Sequence, residues 1–319
     1  MATSREIHPP SSILHPRPVL ITGPTAVGKS DVALLLAEQL GGEIIAVDSM
    51  QVYRGLDIGT AKPSSADRAR VPHHLIDVVE ISESFDAAKF VELAHKSASE
   101  IQSRGRVAIL CGGTGLYFKA FREGLGTAPP GDAQVRATLE ATPLAGLLQE
   151  LNEHDPVTFE NIDRQNPRRV IRAVEVIRLT GKPFSQQRAN WNPVSPTQNP
   201  GSPFFALSRS AADLRARIDA RVEQMFQRGL VEETRQLLER GLAQNQTAMQ
   251  AIGYRQVVEH LRGERSLADT IELVRIRTRQ FGQRQMTWFR RQTSAEWIEL
   301  IPNDSPETAA ALVRAKCAR

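Results

Sequence analysis

Short apolar runs alternate with amphipathic segments through the first third of the chain. Continuous runs typical of buried strands fall at 19–21, 43–47, 73–79 and 106–110. Apolar residues at helical spacing predict one helix that begins just after Lys29 and a second helix over 86–103. Strands that alternate with helices in this way pair in parallel, and the helices cover both faces of the sheet. The pattern therefore predicts an α/β fold built on a parallel sheet.

The character of the sequence changes between two segments rich in proline or glycine, 127–132 and 192–201. The residues between them carry helical patterns, and residues before the first strand lack an apolar signal segment. We therefore divide the chain into a disordered leader (1–17), a core domain (18–128 and 202–319) and a helical insertion domain (129–201). After the insertion the pattern predicts a strand at 204–207, helices at 213–228, 231–240 and 266–292, and a strand at 296–300.

A glycine-rich loop that matches the phosphate-binding pattern GxxxxGK[ST] separates the first strand from the first helix. Its residues are Gly23, Pro24, Thr25, Ala26, Val27, Gly28, Lys29 and Ser30. In such a loop backbone N–H groups point at a polyphosphate, the lysine adds a cation, and the serine hydroxyl can hold Mg²⁺. The amino end of the following helix adds partial positive charge. The loop predicts a polyphosphate site without identifying the compound.

Two further predicted strands also end in polar or glycine-rich residues. These are Asp48, Ser49, Met50 and Gln51 after the second strand, and Gly112, Gly113 and Thr114 after the fourth. Because ligands bind outside the carboxyl ends of parallel strands, we expect both clusters to converge with the phosphate loop on one site. Asp48 would then either assist a magnesium ion or act as general base, and the alternative is that it only caps the turn after its strand.

Basic residues are concentrated on predicted helices, and the chain has a net charge of +4 and a pI near 9.3. Three of them cluster at a predicted helix start, where they are either solvated or grip a nucleic-acid backbone: Arg168, Arg169 and Arg172. Arg217 and Arg221 lie four residues apart, so either could reach a polyphosphate or form a surface ion pair. The helix at 266–292 interleaves arginines with aromatic residues, which favours nucleic acid over a membrane as the partner.

Composition excludes several classes of protein. The chain is 41% hydrophobic and 24% charged, which is typical of a globular protein, and no apolar run is long enough to span a bilayer. Only two cysteines occur, so neither a disulfide framework nor a zinc cluster is expected. We expect a cytoplasmic protein without a membrane partner.

Six motifs in order along the chain resemble those of the bacterial tRNA dimethylallyltransferases, also called isopentenyl-diphosphate:tRNA transferases. Besides the phosphate loop they are residues 48–53, 57–63, 112–117, 253–256 and 284–290. The resemblance runs from about residue 18 to residue 300. It implies a P-loop NTPase-like core and transfer of a dimethylallyl group from dimethylallyl diphosphate to N6 of the adenosine just 3′ of the anticodon. The substrates implied are tRNAs that read codons beginning with U, and the insertion would clamp their anticodon stem-loop.

The resemblance also implies roles for individual residues. Asp48 matches the family's general base, Arg217 matches its diphosphate-binding arginine, and Thr25 is a third catalytic residue. The phosphate loop together with Arg217 would bind the diphosphate, with Ser30 as the protein ligand of the cofactor Mg²⁺. The implied tRNA contacts are Asp48, Ser49, Met50, Gln51, Thr114, Gln165, Arg168, Arg169, Arg172, Gly253, Tyr254, Arg255, Gln256, Arg279, Arg284, Gln285 and Trp288. We expect the enzyme to be a monomer.

Two other classes of function share part of this pattern. A nucleoside or small-molecule kinase would use the same loop, magnesium ion and sheet, but it gives no reason for the arginine-rich insertion and the basic helix. An RNA-binding adaptor would use the basic surfaces, but it leaves the convergence of Lys29, Asp48 and Thr114 unexplained. Consumption of ATP would identify the first, and binding without modification of the RNA would identify the second.

Overall fold

Six parallel strands form the sheet that carries the phosphate loop. The computed structural model describes residues 17–189, 191 and 201–317. The strands within this part of the chain are β1 (Val19–Thr22), β2 (Glu43–Val47), β3 (His73–His74), β4 (Ala108–Gly112), β5 (Phe204–Ser208) and β6 (Glu296–Glu299). Their order is β3-β2-β4-β1-β5-β6, and each pairing is parallel. The predicted α/β fold with a parallel sheet flanked by helices is confirmed.

Helices connect the strands and extend the chain beyond the sheet. They are α1 (Lys29–Leu40), α2 (Ser65–Arg70), α3 (Ala87–Ser103), α4 (Gly115–Glu123), α5 (Ala133–Glu140), α6 (Leu144–His154), α7 (Pro156–Asn161), α8 (Pro167–Thr180), α9 (Ala211–Gln227), α10 (Leu230–Glu239), α11 (Tyr254–Leu261), α12 (Leu267–Gln292) and α13 (Pro306–Cys317). Short polar side chains begin several of them by accepting an early backbone N–H, as Ser210 does for α9 and Ser266 does for α12.

The third strand is shorter than predicted. It covers His73 and His74 instead of 73–79, because Leu75 and Asp77 adopt φ angles of 61° and 56°. Positive φ is incompatible with an extended ladder for residues other than glycine. Asp77 instead accepts hydrogen bonds from Lys62 at 2.5 Å and Arg68 at 2.7 Å. The segment after β3 is therefore held by partly buried ion pairs, together with an isolated parallel bridge between Tyr53 and Val79.

Contacts divide the chain into two compact units. The described residues up to Lys119 and from Gly201 onward form one unit, and those between Ala120 and Pro200 form the other. In the first unit α1, the sheet and α13 share a core that includes Ile21, Leu36 and Val313. In the second, α5 to α8 pack around their own core of Leu139, Leu147, Leu151, Val170 and Val174. The second unit begins nine residues before the predicted insertion at 129.

No helix within the described ranges has the length and apolar character needed to cross a membrane.

Candidate active site

The phosphate loop runs from the end of β1 to the start of α1, and two of its glycines are required by its shape. Gly23 has a φ of 143°, and a Cβ there would lie 2.4 Å from the carbonyl oxygen of Leu207 on β5. Gly28 has a φ of 105° and precedes α1, whose first turn no side chain caps. The first backbone N–H groups of α1 are therefore left for an anion.

Two cationic side chains hold carbonyl groups of the phosphate loop. Lys29 Nζ donates a hydrogen bond to the carbonyl of Pro24 at 2.7 Å, and Arg217 Nε donates to that of Ala26 at 2.8 Å. Burial lowers the pKa of Lys29 to about 8. This lysine is thus poorly solvated, and it forms no ion pair with a carboxylate of the described chain. An anion bound in the loop would supply the negatively charged partner that Lys29 lacks in the described chain.

Asp48 stands directly after β2 and accepts two backbone hydrogen bonds through Oδ1. The donors are the N–H groups of Met50 at 2.8 Å and Gln51 at 3.2 Å. Thr114, after β4, accepts a hydrogen bond from the N–H of Ser49 at 3.2 Å. Asp48 therefore does cap its turn, as the alternative interpretation held. The turn uses only Oδ1 of Asp48, and its two hydrogen bonds fix the orientation of the carboxylate. The second oxygen, Oδ2, makes no hydrogen bond within the turn.

Two cavities meet beside the phosphate loop. The first, of about 370 Å³, is lined by Thr25, Asp48, Gln51, Thr114 and further polar and apolar side chains. The second, of about 470 Å³, is lined by Asp31, Arg217, Arg228 and others. Five residues border both cavities: Lys29, Ser30, Ala61, Arg221 and Met225. The three predicted clusters at the strand ends therefore do converge on one place.

Arg221 occupies a more central position than the sequence indicated. It borders both cavities, whereas Arg217 borders the second. Burial lowers the pKa of Arg221, and the nearby charges of Asp48 and Asp31 oppose that shift. No carboxylate in the described part of the chain lies within ion-pair distance of it. The four-residue spacing from Arg217 was the sequence signal, but spacing alone did not rank the two arginines.

The first cavity also has an apolar wall that sequence patterns did not reveal. Side chains from α9 and α12 contribute most of it: Val222, Met225, Ile252, Val274 and Phe281. These residues follow ordinary helical spacing, so they resemble core positions in the sequence. The wall gives the cavity room for a short hydrocarbon group beside the cations.

The loop at 57–63 forms one side of the site and is fixed by distant residues. Gln51 Nε2 donates to the carbonyl groups of Thr60 at 3.0 Å and Ala61 at 3.3 Å. The hydroxyl of Tyr254 accepts the N–H of Gly59 at 3.0 Å and donates to Glu233 at 2.5 Å. Burial raises the pKa values of both Tyr254 and Glu233. The loop is therefore anchored from α10 and α11.

Tyr254 and Gln256 correct the predicted set of tRNA contacts. Tyr254 is 0% exposed, so its ring is packed inside the protein and does not offer a face for stacking on a base. The ring fits because Gly59 has no side chain: a Cβ on Gly59 would lie 2.4 Å from the ring. Gln256 is also buried, and its side chain accepts the N–H of Gly253 at 2.9 Å at the start of α11.

The other predicted tRNA contacts differ in their exposure and in the partners that they already have. Arg279 donates to Asp219 through two bonds of 2.8 and 2.6 Å, so its charge is already matched. In the helical unit Arg172 binds the fully buried Glu175 and the carbonyl of Pro129. Six further ones are exposed or half-exposed, and Arg255 among them also pairs with Glu259 at 3.2 Å: Gln165, Arg168, Arg169, Arg255, Arg284 and Trp288. The latter group retains surface for RNA.

Gln285 is nearly buried, contrary to its predicted place at the RNA surface. Its Oε1 accepts the N–H of Thr25 at 2.8 Å, and its Nε2 donates to the carbonyl of Gly113 at 2.9 Å. Nearby, Trp288 packs against Gly115, where a Cβ would lie 2.2 Å from the indole. Both side chains of α12 therefore pack on the loops at the strand ends.

The residues beside the phosphate loop fit a magnesium ion that is held mainly by a ligand. Ser30 is exposed and borders both cavities, while no group of three or more metal-binding side chains occurs among the residues the structure describes. Mg²⁺ typically keeps several waters and takes one or two protein ligands together with phosphate oxygens. One hydroxyl beside a polyphosphate cradle matches that mode of binding.

A family model described as IPP transferase matches residues 51–292. A tRNA dimethylallyltransferase of Geobacter metallireducens is 44% identical over 292 residues, which cover 89% of this chain and 92% of that protein. A tRNA dimethylallyltransferase of Halorhodospira halophila is 47% identical over 282 residues, with coverage of 86% and 91%.

Solved structures give the same match at the level of the fold. The full-length tRNA isopentenylpyrophosphate transferase of Bacillus halodurans has a TM-score of 0.69 and 37% identity, covering 95% of this chain and 96% of that one. A eukaryotic dimethylallyltransferase acting on tRNA has a TM-score of 0.76 and 28% identity, covering 94% and 77%.

Proposed function

This chain belongs to the IPP transferase family, and on that premise we propose that it is a tRNA dimethylallyltransferase. It transfers the dimethylallyl group of dimethylallyl diphosphate to N6 of the adenosine just 3′ of the anticodon, in tRNAs that read codons beginning with U. The observation that carries the proposal is the junction of the two cavities. There Lys29 and Arg221 border the same space as Asp48, beside an apolar wall.

The cations act on the leaving group. Cleavage of the bond between the allylic carbon and the bridging oxygen leaves negative charge on diphosphate, so catalysis needs donors around that group. Lys29 exchanges the carbonyl of Pro24 for a diphosphate oxygen, and Arg221 approaches from α9. The uncapped first turn of α1 adds its N–H groups. Arg217 holds the loop carbonyl of Ala26 and completes the cationic side.

Asp48 accepts the proton that the nucleophile must lose. The exocyclic N6 of adenine is a weak nucleophile, and forming its bond to carbon releases a proton. Met50 and Gln51 hold Oδ1 of Asp48 from the turn, which fixes the direction of the carboxylate. The carboxylate lies in the first cavity with Thr114 and Thr25, where a base and an allylic carbon can be brought together.

A magnesium ion, when bound through Ser30, would neutralise part of the charge on the diphosphate. Ser30 borders both cavities, so it lies beside the space in which the diphosphate would bind.

The target base has to leave its stack to enter a site of this kind. Extrusion costs a few kcal/mol, which contacts to the RNA backbone must offset. Exposed basic side chains on α12 and in the helical unit are candidates for those contacts, among them Arg284 and Arg169. The first cavity is the entry for the base in this proposal, because Asp48 and Arg284 both line it. We further propose a cytoplasmic monomer.

A reaction without ATP tests the proposal. Purified protein, an unmodified anticodon stem-loop, Mg²⁺ and dimethylallyl diphosphate are incubated, and the digested RNA is analysed by mass spectrometry. We expect N6-dimethylallyladenosine and free diphosphate. A stem-loop with guanosine in place of the target adenosine is the matched control, and it should stay unmodified. Folded protein that forms no product would contradict the proposal, and a requirement for ATP as phosphoryl donor would favour the kinase.

A further inference from the structure

The side chain of Gln285 connects helix α12 to the phosphate loop by a hydrogen bond. Its amide uses both polar atoms: Oε1 accepts from the N–H of Thr25, and Nε2 donates to the carbonyl of Gly113. These partners lie 260 and 172 residues away along the chain. With 7% of its surface exposed, Gln285 borders the first cavity, but each of its polar atoms already has a partner in the protein. We call this pair of hydrogen bonds the Gln285 clamp.

The clamp connects the base to the leaving-group cradle. Thr25 belongs to the phosphate loop, and Gly113 directly precedes Thr114. The hydroxyl of Thr114 accepts the N–H of Ser49, next to Asp48. Only hydrogen bonds and adjacent residues therefore separate the carboxylate of Asp48 from the loop that holds the diphosphate. Gln285 adds a direct link between the two loops beyond the ends of β1 and β4, where Thr22 Oγ1 also donates to the carbonyl of Gly112 at 3.1 Å.

A side chain at position 113 would displace the amide of Gln285. A Cβ on Gly113 would lie 2.4 Å from Gln285 Nε2, so the glycine is needed for the amide to reach the carbonyl. The N–H of Thr25 is also committed to Gln285 and does not point at an anion, unlike the uncapped N–H groups of α1. This arrangement fixes the distance between the phosphate loop and the loop after β4, and it does not serve as a contact with a ligand.

We propose that Gln285 is a positioning residue for the transfer reaction: it sets the distance between the Asp48 turn and the diphosphate cradle without touching either substrate. This inference rests on the proposed function for its reaction. Misplacement of reacting groups by about 1 Å can lower a rate by about 10²-fold. Loss of the clamp should therefore lower kcat while leaving the affinity for tRNA intact.

Two variants remove the clamp from opposite sides. Gln285→Met keeps the length of the side chain but removes both hydrogen bonds, and Gly113→Ala displaces the amide with a methyl group. We expect each to lower kcat by about 10- to 100-fold. The dissociation constant for the anticodon stem-loop, measured without diphosphate, should change less than about threefold. Because both act on one interaction, the double variant should be no slower than the worse single variant by more than about threefold.

Gln283→Met is the matched control, since Gln283 is an exposed glutamine two residues away on the same helix. It should keep the wild-type kcat. Hydrogen exchange of the Thr25 amide gives a readout that does not depend on turnover, and protection should fall in Gln285→Met but not in the control. If wild-type protein were inactive, the proposed function would fail while this exchange result still tested the clamp.

Three results would overturn the positioning role. One is an unchanged kcat in both clamp variants. Another is an affinity for the stem-loop that falls tenfold or more at unchanged kcat, which would make Gln285 an RNA contact. The third is a double variant whose loss equals the product of the single losses, which would mean that the two residues act separately. If Gln285→Met fails to fold, Gly113→Ala decides the same question.

Discussion

Charged side chains are matched at one end of the parallel sheet and unmatched at the other. At the amino end of β2, Glu43 is 3% exposed and binds His74 at 2.7 Å, Arg104 at 2.9 Å and Arg106 at 3.1 Å. At the carboxyl end, Lys29 and Arg221 border the cavities and form no ion pair with a carboxylate of the described chain. The acidic side chain of the first cluster is fully paired, whereas we propose that the cations of the second cluster bind an anionic ligand.

This difference separates charge used for stability from charge used for binding. Burial of an unpaired cation destabilises a fold, and removing it is neutral or stabilising. A buried carboxylate with three donors contributes stability once the fold has formed, because removing it leaves the cations without a partner. Substitutions at the carboxyl end should therefore lower turnover without lowering stability, and those at the amino end should lower stability without lowering turnover.

The largest effect is expected at Asp48. Asp48→Asn keeps the acceptor for the N–H groups of Met50 and Gln51 but removes the base, so turnover should fall by about 10²- to 10⁴-fold. Single-turnover kinetics measure it, and the affinity for the stem-loop should stay within about threefold. Asp86→Asn, at the amino end of α3, is the control. Full turnover in Asp48→Asn would remove Asp48 from the role of base.

At the cationic end, Lys29→Met should lower turnover by about 10²-fold, the usual cost of one lost donor to a developing anion. Its melting temperature should equal or exceed that of the wild type, because an unpaired buried charge is gone. Kinetics with dimethylallyl diphosphate and calorimetric unfolding measure both quantities. A variant that is both unstable and fully active would reverse the assignment.

At the amino end, Glu43→Gln should lower the free energy of unfolding by about 2 kcal/mol, less than a fully buried pair would lose, because both arginines are half exposed. Turnover at saturating substrate should match the wild type. Denaturant unfolding measures the change, and Glu92→Gln on the exposed face of α3 is the control. Loss of turnover without loss of stability would contradict the comparison.

The smallest effect concerns acid pH. Burial opposes ionisation of Glu43, but hydrogen bonds from His74 and Arg104 outweigh it and lower its pKa below the usual value of 4.5. The stabilisation is therefore complete above pH 4.5 and is lost as pH falls through the lower pKa of the folded state. The difference in unfolding free energy between wild type and Glu43→Gln should shrink in that range. A difference that grew on acidification would have the wrong sign.

Local patterns were sufficient for the centre of the site. The glycines of the phosphate loop and the polar residues after β2 and β4 are contiguous in sequence, so their positions at strand ends follow from the order of strands and helices. The fold class was predictable for the same reason. The length of β3 was overestimated, because an apolar run does not reveal that Leu75 and Asp77 turn the backbone.

Side chains with distant partners were not predictable. Tyr254 has an aromatic ring of the kind that stacks on bases. Its buried position depends on Gly59, 195 residues away, which leaves room for the ring. Arg217 and Arg221 lie one helical turn apart on the same face of α9, so the sequence does not distinguish them. Only the packing of the folded chain decides which one borders both cavities. Gln285 belongs to an arginine-rich helix, so its pattern resembles that of an RNA surface although it lies inside.

We propose that the cationic end of the sheet holds a departing diphosphate, so that bond cleavage occurs at carbon. Dimethylallyl diphosphate labelled with ¹⁸O at the bridging position tests this directly, by mass spectrometry of the inorganic product and of the digested stem-loop. We predict that all of the label leaves in diphosphate and that none enters the modified adenosine. Label retained on the carbon side, or a phosphoryl group transferred to the RNA, would contradict the account.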